Sequence, residues 1–112
     1  MLKNMTKKKK KIQTLTGKQV RYLRGLGHHL KPIAMLGKED ISDNVITAVN
    51  AVLDAHELIK VKVGNSCSLG RKEAAKILAA KTFSAEVQVI GKTILLFREN
   101  PDRDVANKIK LP

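Results

Sequence analysis

Leu58-Ile59-Lys60-Val61-Lys62-Val63 alternates apolar and cationic residues and is rich in β-branched side chains. That period is a strand's, with Ile59, Val61 and Val63 on one face. Lys60 and Lys62 then point to the other face or to solvent. Upstream, Ser42 is placed to cap a helix running to about Asp54, with Val45, Ile46, Val49, Val52 and Leu53 inward. Its outer positions, Asp43, Asn44, Thr47, Asn50 and Asp54, are neutral or acidic, a poor platform for phosphate. Downstream, a polar loop from Gly64 to Gly70 leads into a third helix, Arg71 to about Lys81. This helix buries Ala74, Ala75, Ile77 and Leu78 and keeps Lys72 and Lys76 outward.

Further out, Pro32-Ile33-Ala34-Met35-Leu36 is a short apolar run consistent with a buried strand that proline begins. Glu86 to Ile90 and Thr93 to Arg98 are two strands separated by Gly91-Lys92, a hairpin spacing. Thr16 is placed to cap a first helix to about His29, with Val20, Leu23, Leu26, Gly27 and Leu30 on its inner side. Residues 99–112, beginning with Asn100-Pro101, form an irregular tail whose Ile109 and Leu111 dock on the body. The order α-β-α-β-α-β-β predicts a single two-layer α/β domain with a four-stranded mixed sheet. Strands joined through a helix are expected to be parallel neighbours, and the hairpin pair antiparallel.

A chain of 112 residues with 43% apolar and 29% charged residues has enough material for one core. A single cysteine, Cys67, excludes an internal disulfide and a multi-cysteine zinc site. The basic N-terminus runs into Ile12-Gln13-Thr14 rather than an apolar stretch, so no secretory signal is expected there. No apolar run approaches the roughly 20 residues of a membrane helix, and a cytoplasmic protein without a membrane partner is expected. Three aromatic residues, Tyr22, Phe83 and Phe97, are few for a protein that reads bases by stacking.

Charge carries most of the functional signal. Lys and Arg total 22 against 10 Asp and Glu, a formal net charge of +12. The first acidic residue is Glu39, and the 38 residues before it hold 11 basic groups. One-sided charge is an electrostatic footprint, whereas charge kept for solubility mixes its signs. Residues 1–14 read as a flexible arm carrying Lys7, Lys8, Lys9, Lys10 and Lys11. On the first helix, Lys18, Arg21, Gly25 and His28 oppose the apolar side, flanked by Tyr22 and His29, with Arg24 at the rim. A lone basic face is commonly just solvated; its continuity with the arm and with Lys31 favours a polyanion.

Catalytic and nucleotide-binding readings find little support. Gly64 to Gly70 has five residues between its glycines where a P-loop has four, and Gly91-Lys92-Thr93 opens a hairpin rather than a helix. Nothing ties His28, His29 or His56 to Cys67, and adjacent His28 and His29 point about 100° apart on a helix. An enzyme, a cofactor and a metal site are therefore not expected. The link Gly37-Lys38-Glu39-Asp40-Ile41-Ser42 joins a strand end to a helix N-terminus, where phosphates gather. Glu39 and Asp40 oppose an anion there, so an ordinary capped turn competes with a phosphate site.

Leu15-Thr16-Gly17-Lys18-Gln19, Arg21-Tyr22-Leu23-Arg24, Gly27-His28-His29-Leu30, Met35-Leu36-Gly37, His56 to Val63, Val87 to Gly91 and Leu96-Phe97-Arg98 occur in one order along residues 15–98. This series resembles the bacterial YhbY-like proteins, stand-alone members of the CRM (chloroplast RNA splicing and ribosome maturation) domain family. The resemblance implies a fold akin to the C-terminal domain of translation initiation factor three. It also implies RNA binding and association with large-subunit ribosome precursors. The family carries a G-x-x-G loop between first strand and second helix; here Gly37 keeps the first glycine and Asp40 replaces the second. Asp tolerates a left-handed backbone, so the turn is expected to survive.

The expected protein is a non-catalytic, monomeric RNA-binding module of ribosome assembly. Its contacts are expected from Lys7–Lys11, Lys18, Arg21, Arg24, His28, Lys31, Gly37 and Lys38. A DNA-binding, nucleoid-type protein shares the charge block, and an interaction adaptor would use the acidic second helix.

Overall fold

Thr16 opens the first helix, α1 (Gly17–Gly27), through a capping box: its hydroxyl accepts from the Gln19 amide at 3.1 Å, and the Gln19 side chain accepts from the Thr16 amide at 3.0 Å. The computed structural model describes residues 12–38 and 40–112, so the lysines from Lys7 to Lys11 lie outside the described residues. After α1 come β1 (Pro32–Leu36), α2 (Asp43–His56), β2 (Leu58–Val63), α3 (Arg71–Thr82), β3 (Ala85–Ile90) and β4 (Thr93–Phe97). The element order is the expected one. Ser42 caps α2 by accepting from the Val45 amide at 3.3 Å, and Gly91 takes a φ of 57° in the β3–β4 turn.

The sheet order is β1-β2-β4-β3, with β1 parallel to β2 and both other pairs antiparallel. One expected adjacency fails: β2 and β3, joined through α3, are separated by β4. The reason lies in composition. Ile94, Leu95, Leu96 and Phe97 are all buried, so β4 needs cover on both faces and a partner on each edge. β3 mixes Glu86 and Gln88 with apolar residues and leaves Ile90 exposed, as an outer strand can.

A second correction concerns β1. It is an edge strand rather than a buried one: only Leu36 is buried, while Ile33 and Met35 are 44% and 62% exposed. Pro32 begins it, where the missing amide hydrogen costs least.

The sheet also carries helices on both faces, so three layers replace the expected two. α2 and α3 bring Val49, Leu53, Ala74, Ala75 and Leu78 onto Ile59, Val61, Val63, Ile94 and Leu96. On the other face Leu23 of α1 meets Leu58, Val87, Leu95 and Phe97, with Val20, Ile109 and Leu111 at the margin. Alternation divides β2 and β4 this way, and Leu58, Leu95 and Phe97 would face water without α1. α1 lies close: a Cβ on Gly27 would come within 2.7 Å of a Leu95 methyl. Leu26 and Leu30, expected inward, are 38% and 37% exposed and line a cleft of about 360 Å³ with Lys31, Ile33 and His56.

The tail docks as expected, but on an anchor not anticipated. Glu57 ends α2 with a φ of 65° and is fully buried. Its carboxylate accepts from the amides of Asn100 (2.7 Å) and Ile109 (2.8 Å) and from Arg103 (3.2 Å), with Lys108 at 3.7 Å. Burial alone would raise its pKa, yet those two amides and the charges of Lys108 and Arg103 outweigh it and hold the carboxyl below the ordinary value.

Candidate nucleic-acid interface

Helix α1 presents Lys18, Arg21, Arg24 and His28 as exposed side chains, and Lys31 follows, also exposed. The face they share forms because Leu23 and Gly27 turn inward onto the sheet. Tyr22, 41% exposed, sits beside it, and the rings of His28 and His29 meet edge to face at 5.2 Å.

Three acidic groups of the body are engaged elsewhere. Asp54 pairs with Arg98 at 2.8 Å, Glu57 with Arg103 and Lys108, and Glu99 with Lys108 at 3.7 Å. Among the described residues, none of the ion pairs involves Lys18, Arg21, Arg24, Lys31 or Lys38. Arg98 is structural: besides Asp54 it donates to the Asn50 side chain (2.7 Å) and the Thr82 carbonyl (2.6 Å), tying α2 to α3.

The turn after β1 keeps the shape its first glycine suggests. The Asp40 amide donates to the Gly37 carbonyl at 2.9 Å, and Asp40 holds a φ of 53°, the left-handed region. Its carboxylate is bound to the neighbouring loop, accepting from the Ser68 hydroxyl at 2.6 Å and the Ser68 amide at 2.7 Å. Those two bonds, with a weaker one from the Cys67 thiol, hold the Asp40 carboxyl below its ordinary range. Burial, aided by Asp40, pushes the Cys67 thiol up, which disfavours the thiolate a nucleophile requires. Lys38 is exposed beside the turn.

These two expected contact regions are not adjacent. α1 covers the part of the sheet that holds Leu58, Leu95 and Phe97, whereas the turn lies past the far end of β1. Between them is a bare stretch of sheet carrying Lys62, with the half-buried Lys60 behind it. Sequence reasoning set both lysines aside from the site, although the alternation had already separated them from the core. Among the described residues, no group of three or more His, Cys, Asp or Glu is placed to hold a metal, and no helix is long and apolar enough to cross a membrane.

A family model for the CRS1/YhbY (CRM) domain matches residues 15–98. The chain is 42% identical to a Bacillus subtilis protein named "Probable RNA-binding protein YqeI", over 88% of this chain and 99% of that one. It is 36% identical to a Haemophilus influenzae protein named "RNA-binding protein", over 90% and 98% of the two chains. Among solved structures, a hypothetical protein of Staphylococcus aureus superposes with a TM-score of 0.73 at 42% identity, covering 88% of this chain and all of the other.

Proposed function

This chain belongs to the CRS1/YhbY (CRM) domain family, and from that membership we propose that it binds RNA in large ribosomal subunit precursors. It acts there as a non-catalytic, cytoplasmic assembly protein and as a monomer. One observation carries the reading: the exposed cations of α1 have no acidic partner among the described residues, while the acids Asp54, Glu57 and Glu99 are paired with Arg98, Arg103 and Lys108. Such a surface neutralises phosphates, and contacts of that kind favour RNA shape over sequence. The relatives' names supply the choice of RNA over DNA.

Sequencing the RNA crosslinked to the protein in its host tests the assignment directly. Enrichment of large-subunit ribosomal RNA in precursor form is the expected result. Recovery of protein partners without RNA would overturn it. Competition between RNA and DNA of one sequence and structure separates the nucleoid alternative, because only RNA offers the 2′-hydroxyl.

A further inference from the structure

The strand registers place Met35 opposite Lys62, Lys62 opposite Thr93, and Thr93 opposite Ile90. These residues form a single row across all four strands, on the same face as Leu58, Leu95 and Phe97. α1 covers the rows at Leu58 and Leu95 and stops short of this one. Met35 and Ile90 are 62% and 61% exposed, and Lys62 is exposed between them. Adjacent strands lie about 4.8 Å apart, so the row is about 14 Å long.

We propose that this bare row is a second RNA-contacting surface, one that receives an unpaired strand passing from the basic face of α1 to the Gly37–Asp40 turn. The inference rests on the RNA-binding reading above and adds a location and a strand class to it. Position is the first support, since the row lies between the two regions. Sign is the second. Lys60 lies one row behind Lys62, and Lys92 stands two residues after Ile90 and donates to Asn65. Two acids among the described residues are directed away: Glu86 pairs with Leu96 on the opposite face of the sheet, and the Asp40 carboxylate is held by Ser68. Chemistry is the third. A duplex offers such a row phosphate, ribose and polar base edges, for which Met35 and Ile90 are poor partners. Unpaired bases present flat apolar faces, and a thioether packs well on a ring. Lys62, between the two apolar side chains, is placed for the phosphate that joins them.

The test titrates the full-length protein with a short unstructured oligoribonucleotide of mixed sequence and with its duplex. Lys62→Glu is expected to weaken single-strand binding about tenfold. Met35→Ser with Ile90→Ser is expected to weaken it severalfold while leaving duplex binding unchanged. All three side chains are exposed, so folding is preserved, and circular dichroism checks it. In the unmodified protein, the methyl resonances of Met35 and Ile90 are expected to shift as the single strand is added. If both variants bind within twofold of wild type, and those methyls stay still, while Arg21→Glu with Arg24→Glu weakens binding about a hundredfold, the row is not a contact surface and the RNA lies on α1. If wild-type protein binds neither RNA, the underlying functional reading falls, and the row's role with it.

Discussion

Asp40 combines two properties that a glycine in its place would not: a left-handed backbone with φ 53° and a carboxylate bonded to Ser68. Asp40→Gly keeps the turn, frees Ser68 and removes one negative charge beside Lys38. RNA affinity is expected to rise about two- to fivefold, one exposed charge's effect, while the Ser68 amide exchanges faster with deuterium. An unchanged affinity would mean that no phosphate approaches this turn. Glu57 is the residue-scale counterpart in stability. Because its carboxyl is held below the ordinary value of 4.5, its contribution is complete above that pH and is lost as pH falls through the folded value. Acid should therefore release the tail, seen as loss of amide protection at Asn100 and Ile109. Glu57→Gln, which leaves Arg103 without its charge partner and Lys108 with only Glu99, is expected to cost about 3 kcal/mol in chemical denaturation at neutral pH.

At the scale of the element, α1 does two things with opposite faces. Its inner face depends on Gly27, where a Cβ would meet Leu95 at 2.7 Å and that leucine is only 2% exposed. Gly27→Val would improve helix propensity by a few tenths of a kcal/mol. Overpacking costs about 1–3 kcal/mol, so the steric effect wins, and a clear fall in melting temperature is expected. The outer face answers to charge alone. Arg21→Glu with Arg24→Glu is expected to lower RNA affinity by about a hundredfold with the melting temperature nearly unchanged, since both side chains are exposed. A large loss of stability would instead assign these arginines to packing. The limits of α1 and α2 were legible because each follows from a local period and a cap, and those of β2 and α3 from their periods and the loop between them. The edge position of β1 was not, since Ile33 and Met35 look as apolar as core residues, and nothing within five residues says which strand will lie beside them.

For the whole molecule, the decisive measurement is the dependence of affinity on salt. With about five phosphates neutralised, log affinity should fall against log salt with a slope of about −3.5 to −4 on single-stranded RNA; a slope near zero would reject an electrostatic interface. That expectation follows from the imbalance of the first 38 residues, which hold 11 basic groups and no acid. The sequence by itself determined the seven elements, their order, the inward faces of α2 and α3 and the excess of positive charge near the start. All of these depend on residues a few positions apart, where periodicity and capping act. Only the tertiary structure decided that β4 enters between β2 and β3, that α1 takes the opposite face from α2 and α3, and that Glu57 and Asp40 engage partners 43 and 28 residues away. Those outcomes come from competition among all apolar faces for a limited interior, and from buried or turn-bound carboxylates seeking donors wherever the chain supplies them. No local pattern records the result of either.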